Sequence, residues 1–441
     1  MKQYYQKYRN SFFFLVLSFL IVMVGIFQSW SLALSIINVG LISAIMSLGV
    51  NIQWGYAGLF NVGIMGFAAL GGVAGVLISK SPVSAAWNTG GLNILTGLLL
   101  IIIGIFSIRF FWNKIKKYKK YRYYIISSII LIFYIILRIV LDPAIERIEA
   151  IDPSSTGYLG GLGLPILISW PVGGIFAAIA AYAIGKVALG LRSDYLAIAT
   201  LGISEIIIYF LKNEEWLTRG VKDVSGLPRP VPYEIDLQQT IWMQEISNFF
   251  GVNIVDGSYI FVKISYMILF LIILVCIFSL SEIALKSPWG RMMRAIRDNE
   301  TAAEAMGKNV TKKHLVVFVI GSGVIGMAGA MLTTLDGSFT PNTYQPLRFT
   351  FLIWVMVIIG GSGNNWGAIL GGMFIWFFWI EAEPIGLWLI DKLTFVMAED
   401  YWLKIQLIEN AAHMRLMTVG IILILALRFS PKGLIPETNR Y

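Results

Sequence analysis

Long apolar runs separated by short polar stretches follow one another along most of this chain. Several of the runs hold about 18 residues or more, which is enough for a helix to cross a hydrocarbon core of about 30 Å. Closed β-barrels also span membranes, but they show short segments of alternating polarity, and this sequence lacks them. The pattern therefore predicts an all-α polytopic membrane protein with about twelve crossings.

The predicted crossings are 12–37, 41–53, 59–79, 94–111, 124–141, 164–189, 195–211, 259–280, 314–335, a short segment ending at 359, 366–380 and 414–427. The first has the basic head and apolar body of a signal peptide. Its apolar body runs past about 20 residues without a small-residue cleavage site, which favours a retained helix. An even number of crossings places both termini on one side.

The charges predict which side that is. Only 13% of the residues are charged, about half the share in soluble proteins. Basic residues concentrate in the N-terminal tail, in 109–122, in 286–313 and in the C-terminal tail, whereas 142–152, 214–236 and 383–409 are acid-weighted. Since basic loops stay in the cytoplasm, both termini are predicted to be cytoplasmic.

The basic run at 114–122 interleaves tyrosines with lysines, at Tyr118 and Tyr121. Aromatic and basic residues together can bind RNA. Directly beside a membrane span, however, the pattern is more typical of attraction to anionic lipid and of an interfacial aromatic belt. Membrane lipids are therefore a predicted partner, and nucleic acid is not.

Two glycine clusters interrupt short apolar runs, one in each half of the chain. They comprise Gly55, Gly58 and Gly63 in WGYAGLFNVG, and Gly360, Gly361, Gly363 and Gly367 in GGSGNNWG. Paired interruptions of this kind indicate an internal inverted repeat with broken helices and a translocation path near the membrane midplane. The alternative is that the glycines are small contact residues that let helices pack closely.

Polar residues accompany these interruptions and could line such a path. They are Asn51, Gln53, Tyr56 and Asn61 at the first cluster and Asn364 and Asn365 at the second. The amides could bind a passing solute, or they could satisfy backbone groups freed by the helix break, and the sequence leaves both interpretations open.

Glu205 is the most informative residue within a span. It lies about ten residues from Tyr195, or roughly 15 Å along a helix, which is close to mid-bilayer. A carboxylate there costs about 2.5 to 3.5 kcal/mol on insertion scales, so it is expected to face the bundle interior or water. It would then be a path or gate residue, or a hydrogen-bonded tie between helices.

The polar stretch 287–313 has the character of a docking surface. Arg291, Arg294 and Arg297 recur at helical spacing, and an Ala-rich turn ends at Gly307. No phosphate-binding loop is present, because Asn309 stands where Ser or Thr would hold magnesium after Gly307 and Lys308. One cysteine and two histidines offer no metal cluster. The sequence thus predicts neither enzyme activity nor a cofactor.

Five stretches resemble the M-type permease subunit of the ABC importers for branched-chain (hydrophobic) amino acids. They are LGVNIQWGYAGLFNVGIMGFAALG from Leu48, LRSDYLAIATLGISEII from Leu191, SPWGRMMRAIRDNETAAEAMGKNV from Ser287, VIIGGSGNNWGAILGG from Val357 and RLMTVGIILILALRFSPKGLIPE from Arg415. The resemblance implies a single permease domain over 1–441 in a bacterial inner membrane. It also implies a second permease subunit, two cytoplasmic ATPase subunits and a periplasmic solute-binding protein as partners.

In that family the polar loop, here 282–313, docks against the ATPase. The residues implied in coupling are Arg291, Arg294, Arg297, Glu300, Thr301, Ala302, Ala303 and Gly307. Thr301 departs from the family, which has Glu at that position of its Glu-Ala-Ala signature. The segment 96–149 is an added hairpin with a basic turn, and 213–258 is a long outer loop where the solute-binding protein would dock.

Two alternatives to an amino-acid importer remain. The same family also serves urea and short amides. An ion-coupled secondary carrier likewise uses repeats and broken helices, and Glu205 would then be its proton site. The loop from Thr301 to Gly307 favours the importer, because a carrier has no need of it.

Overall fold

The computed structural model describes residues 2–114, 119–152, 156–395 and 401–437. The described helices, in chain order, are α1 Lys2–Phe27, α2 Trp30–Val50, α3 Ile64–Ser79, α4 Ser84–Ala86, α5 Leu92–Lys114, α6 Lys119–Glu149, α7 Ser169–Ala188, α8 Ser193–Asn213, α9 Glu215–Thr218, α10 Glu234–Gln238, α11 Ile241–Phe249, α12 Ile254–Lys286, α13 Pro288–Asp298, α14 Glu300–Ala305, α15 Val310–Asp336, α16 Pro346–Gly360, α17 Asn365–Leu393, α18 Trp402–Glu409 and α19 Met414–Phe429. A short antiparallel ribbon pairs β1, Val224–Ser225, with β2, Ser338–Phe339. The all-α polytopic class is confirmed.

Within the described ranges, ten helices are long and apolar enough to cross a membrane. Two shorter apolar helices, α3 with 16 residues and α16 with 15, add to them. Each follows an irregular segment, 58–63 before α3 and 344–345 before α16. The short helices are therefore preceded by non-helical backbone, which a membrane protein tolerates only where other protein covers it.

The predicted end of the first crossing, at Ile37, is wrong. The chain breaks earlier, at Gln28 and Ser29, and the Ser29 hydroxyl accepts a hydrogen bond from the Leu32 amide (3.1 Å), which caps α2. Asn38, the residue after the predicted end, has a buried amide that donates to the Lys263 carbonyl (3.0 Å). A tertiary hydrogen bond thus lets α2 continue through it.

The helices divide into a buried core and a peripheral hairpin. In the span Trp30–Gly55, 83% of the most apolar stretch is buried, against 17% for Ser84–Lys114 and 6% for Tyr123–Glu149. The last two spans contain α5 and α6, which pack on each other through contacts such as Gly104 with Phe133. The described parts of the segment 96–149, which are 96–114 and 119–149, thus lie on these two outer helices.

Glycines let the core helices approach closely. A Cβ atom added at Gly329 on α15 would come within 2.0 Å of the Ala68 carbonyl oxygen on α3. A Cβ at Gly71 on α3 would likewise clash with the Gly326 carbonyl. Backbone contact of this kind is how small residues hold membrane helices together.

Replacing Gly329 with alanine is expected to destabilise the protein by about 1 to 3 kcal/mol, because α3 and α15 would have to separate. The measurement is the thermal midpoint of the detergent-solubilised protein by fluorescence-detected gel filtration. Gly420 is the matched control, since nothing lies within 4 Å of a Cβ there. Equal midpoints for Gly329→Ala and Gly420→Ala would contradict the close packing.

Candidate functional site

The first glycine cluster is a genuine helix break. The helix α2 continues into a π-helical turn, Asn51–Gly55, helical backbone ends at Ala57, and the chain is then irregular from Gly58 to Gly63. The Gln53 amide donates to the Phe318 carbonyl (3.0 Å) and to the Ser322 hydroxyl (2.9 Å) of α15. The freed end is thereby fixed to a neighbouring helix.

Asn61 completes that arrangement. Its Nδ2 donates to the Gln53 Oε1 (2.9 Å), and its Oδ1 accepts from the Gly63 amide (2.8 Å). Gln53 and Asn61 are both only 1% exposed. In this conformation the two amides satisfy groups freed by the break, because backbone without helical hydrogen bonds needs other partners inside a membrane protein. Neither amide faces an open path.

The second cluster forms a matching break between α16 and α17. Gly361 and Gly363 take φ values of +115° and +79°, which favour glycine. Asn364 caps α17, with its Oδ1 accepting from the Trp366 amide (3.0 Å). The C-terminal tail binds here as well, since the Leu434 amide donates to the Ile359 carbonyl (2.7 Å).

One buried network, which we call the junction, joins the two breaks. The Asn51 Oδ1 accepts from the Gly363 amide (2.9 Å), and the Asn51 Nδ2 donates to the Asn365 Oδ1 (3.2 Å). The Tyr56 hydroxyl donates to the same Asn365 oxygen, and Asn365 in turn donates to the Glu282 Oε1 (3.0 Å). The junction comprises these five residues and ties α2, α12 and α17 together.

Burial raises the pKa of the Tyr56 hydroxyl well above its usual value, and the negative charge of Glu282 raises it further. The hydroxyl therefore remains protonated across the physiological range. Tyr56 is a permanent hydrogen-bond donor to Asn365, so the junction does not depend on pH through this group.

Arg297, at the end of α13, reaches the first break directly. Its Nη1 donates to the Gly55 carbonyl and forms an ion pair with the Glu437 Oε2 (3.0 Å). Burial acts against the charged guanidinium, but the nearby Glu437 and Asp298 carboxylates outweigh it and raise the pKa of Arg297. Its side chain is only 24% exposed. A cation is thus fixed between α13, the break and the tail.

Arg297 marks where part of the glycine clusters lies in the fold. Gly55, Gly58 and Gly363 lie beside it, at the end of the bundle that α13 covers. α2 and its π-helical turn form one continuous span, Trp30–Gly55, which is long enough to cross a membrane before the break begins.

Within the described part of the chain, the side chains of the other two arginines of the predicted docking surface hydrogen-bond to the end of α12. Arg291 donates to the Lys286 carbonyl (3.3 Å) and Arg294 to the Leu285 carbonyl (3.4 Å). Both line an open pocket of about 540 Å³ beside the junction. They leave part of each guanidinium available to groups outside the chain.

The remaining residues implied in coupling form a small exposed helix. Asn299 caps α14 by accepting from the Ala302 amide (2.9 Å), and Gly307 ends the turn with a φ of +76°. Glu300, Thr301 and Ala302 are exposed, and Ala303 is half-buried. The helix has no buried residue, so its whole outer face is open.

Glu205, which was predicted to face the bundle interior or water, does not face the interior of this chain. Thr200 and Ser204 face inward on α8, where their hydroxyls accept from the Val62 amide (3.0 Å) and the Gly66 amide (2.8 Å). Glu205 follows Ser204 directly and is therefore turned outward, where it is exposed.

Glu205 instead lines an open surface groove of about 520 Å³ with Gln345, Arg348, Phe351 and Leu416 among its walls. No described residue hydrogen-bonds or pairs with its carboxylate, so the tie between helices is not formed either. The Arg348 guanidinium lies 5.0 Å from the ring centroid of Trp379 and is exposed. Opposite charges thus share one outward-facing groove.

The two charges lie at similar distances from helix ends. Glu205 is 12 residues from the start of α8 (193 to 205), and Arg348 is 12 residues from the end of α16 (348 to 360). At 1.5 Å per residue both lie roughly 18 Å from those helix ends. If those ends mark one face of a membrane about 30 Å thick, both charges lie near its middle.

Sequence reasoning missed Arg348, Glu282 and Glu437. Arg348 begins an apolar run, so the counting that singled out Glu205 could have found it. The roles of Glu282 and Glu437 carry no sequence signal, because they depend on contacts with Asn365 and Arg297 that lie 83 and 140 residues away along the chain (365 − 282 and 437 − 297). Among the residues that the structure describes, no cluster of metal-ligating side chains occurs.

Comparison with known proteins matches residues 32–427 to the family described as the branched-chain amino acid transport system permease component. The chain is 29% identical over 217 residues to the high-affinity branched-chain amino acid transport system permease protein of Escherichia coli, covering 48% of this chain and 50% of that protein. It is 25% identical over 403 residues to a probable branched-chain amino acid transport permease protein of Methanocaldococcus jannaschii, covering 89% and 90%.

A more distant relative is the fructose import permease protein of Rhizobium meliloti, 26% identical over 183 residues, or 38% of this chain and 49% of that protein. The match to the Escherichia coli protein spans only half of that protein's length. No solved structure matches this chain significantly.

Proposed function

This chain belongs to the branched-chain amino acid transport system permease family, and from that premise we propose that it forms half of the translocation path of an ATP-driven importer of hydrophobic amino acids. The multi-pass permease carries out no ATP hydrolysis in this proposal. Two separate ATPase subunits drive it through α13 and α14. The observation that supports coupling is the hydrogen bond from Arg297 to the Gly55 carbonyl.

The mechanism follows from that contact. An ATPase that seats on the exposed face of α14 would move α13, and Arg297 would carry the movement to the first break. The junction then transmits it to the second break through Asn51 and Asn365. Irregular backbone between rigid helices is where large dihedral changes are absorbed. Both breaks would therefore respond together to one displacement.

The groove of Glu205 and Arg348 supports the proposal that a second permease subunit covers this face. A charge exposed to lipid near the midplane costs about 2.5 to 3.5 kcal/mol on insertion scales. Two such residues, Glu205 and Arg348, line the same groove without a mutual ion pair in the described part of the chain. A partner subunit with a water-filled path between the two would remove that cost.

The basic loops would place α13, α14 and both termini in the cytoplasm of a bacterial inner membrane. The solute-binding protein would then dock on the opposite face, over 213–258, where α9 to α11 and the β1–β2 ribbon lie. The Thr340 hydroxyl donates to the Asp223 carboxylate (2.7 Å) and connects this outer loop to the segment before α16.

The energy source tests the proposed function against an ion-coupled carrier. In inverted vesicles holding the complete transporter and its binding protein, ATP is expected to drive leucine movement at an unchanged rate after a protonophore collapses the proton gradient. Removal of ATP is expected to stop it. Movement that persists without ATP but stops with the protonophore would show a carrier with Glu205 as its proton site.

A further inference from the structure

An apolar cavity of about 210 Å³ lies between α2, α3, α15, α16 and α17, apart from both the junction and the groove. It is open at the end where Asp336 and Thr343 are exposed. Its walls include Ile42, Met46, Met65, Leu352, Ile353 and Met356. Methionine side chains are unbranched and polarisable, so they adapt to apolar ligands of differing shape. The walls suit a branched aliphatic group.

Polar groups are few in this cavity, and one of them is charged. Asp336, at the end of α15, is the only lining residue with a formal charge, and no described residue hydrogen-bonds or pairs with its carboxylate. The indole Nε1 of Trp376, another lining residue, is buried without an acceptor in the described part of the chain. Buried polar atoms are nearly always paired in native proteins, so an unpaired one indicates a ligand or water.

We propose that this cavity binds one hydrophobic α-amino acid within the single permease subunit. The aliphatic side chain occupies the space among the methionines, the ammonium group pairs with Asp336, and the carboxylate accepts from the Trp376 indole. The ligand class rests on the proposed function, whereas the place of binding, inside one subunit and not between two, goes beyond it.

The lining argues against the other substrates of related permeases. A sugar or urea presents a polar atom on every side, and each buried one needs a partner. Ser43, Thr343, Asp336 and Trp376 offer too few partners for a sugar, since the Tyr344 hydroxyl already pairs with Thr333 (2.8 Å). An amino acid with an aliphatic side chain matches the division into one polar end and one apolar body.

The cavity lies on the opposite side of α16 from the groove. Phe349, Leu352 and Met356 face the cavity, whereas Arg348 and Phe351 face the groove. Because Asp336 and Thr343 lie next to β2 and its ribbon partner in the outer loop, the ligand reaches the cavity from that side. α16 is then the wall between the ligand and the shared path.

Binding of tritiated L-leucine to the full-length chain in nanodiscs, without ATPase or solute-binding protein, tests this site. Leucine binding is expected, with 3-methylbutylamine as a competitor because it keeps both the side chain and the ammonium group. 4-Methylpentanoate lacks the ammonium group and is expected to compete about tenfold less well or worse, and xylose not at all. Equal competition by leucine and 4-methylpentanoate would overturn the assignment of Asp336.

Matched variants locate the ligand. Asp336→Asn is expected to weaken leucine binding about tenfold, whereas Glu245→Gln, at an exposed carboxylate on α11, leaves it unchanged. Met46→Trp fills the cavity and abolishes binding, while Ile421→Trp on an outward face does not. A symmetric gel-filtration peak shows that each variant is folded.

Full leucine binding by a folded Met46→Trp protein, or no binding by the wild type, would overturn the site. Neither result contradicts the proposed function, because that function is tested by ATP-driven uptake by the complete transporter. Conversely, leucine binding by a chain whose transport ignores ATP would overturn the proposed function and leave the cavity assignment intact.

Discussion

Replacing Arg297 with alanine is expected to reduce ATP-driven uptake by about thirtyfold or more, while the protein inserts and accumulates normally. The change removes the hydrogen bond to the Gly55 carbonyl and the ion pair with Glu437. Truncating one member of a largely desolvated charge pair costs about 2 kcal/mol or more, and each 1.4 kcal/mol is a factor of ten. Uptake and ATP hydrolysis by the reconstituted complex are the measurements.

Arg291→Ala is the matched control for Arg297→Ala. Arg291 lies on the same helix, but it is exposed and donates only to the Lys286 carbonyl (3.3 Å). Its loss is expected to change uptake by less than about threefold, in line with the small effects of exposed contacts. Glu437→Gln should fall between the two, because it weakens the ion pair and keeps the bond to Gly55.

The two measurements separate coupling from simple misfolding. If Arg297 transmits motion, the Arg297→Ala complex continues to hydrolyse ATP and loses uptake. Unchanged uptake in this variant would refute the mechanism, and equal loss in Arg291→Ala would show that α13 acts only as a docking surface. Lysine at position 297 keeps the positive charge but lacks the planar guanidinium with its several donors. Arg297→Lys is therefore expected to restore uptake only in part.

Apolar run length predicted the helices of this fold well, because crossing a membrane demands both length and internal hydrogen bonding. It failed at the end of the first span, where a single capping residue, Ser29, starts α2. Asn38, just past the predicted end, lies within α2, where its amide donates to the Lys263 carbonyl. Local composition cannot reveal a partner 225 residues away.

Helical spacing likewise identified the arginines of α13 but not the one that turns inward. Met293 and Ile296 are the buried residues of that helix face, and Arg297 follows Met293 by one helical turn. That shared face is a signal that sequence alone contains. The sequence does not reveal the target of Arg297, the Gly55 carbonyl, because the position of that carbonyl depends on how α2 and α12 pack.

Glu205 shows the opposite case, in which the residue was found but its direction was left open. The cost of a charge in a membrane requires only that it face the bundle interior or water, and its depth along the helix does not say which. In the structure the inward positions of α8 belong to Thr200 and Ser204, which accept from backbone amides at the start of α3. A subunit of a larger assembly can direct a charge outward, because another subunit can cover it.

Reversing the charge at that position, by Glu205→Lys, is expected to lower uptake by about thirtyfold or more. The substitution puts a second cation in the groove that Arg348 lines, and like charges juxtaposed at an interface repel by several kcal/mol. Glu205→Asp keeps the charge and is expected to retain most of the activity. Uptake by the complete transporter, normalised to the amount of inserted protein, is the measurement.

Thiol labelling then decides what covers the groove. In a chain whose native Cys276 is replaced by serine, Glu205→Cys is expected to react with a membrane-impermeant, water-soluble reagent when the transporter is assembled. Ile103→Cys, equally outward-facing on the peripheral α5, is expected to react only with a lipid-soluble maleimide. A position 205 that behaves like position 103 would mean that Glu205 faces lipid. Its cost at that depth would then be uncompensated, and the groove could not be half of a water-filled path.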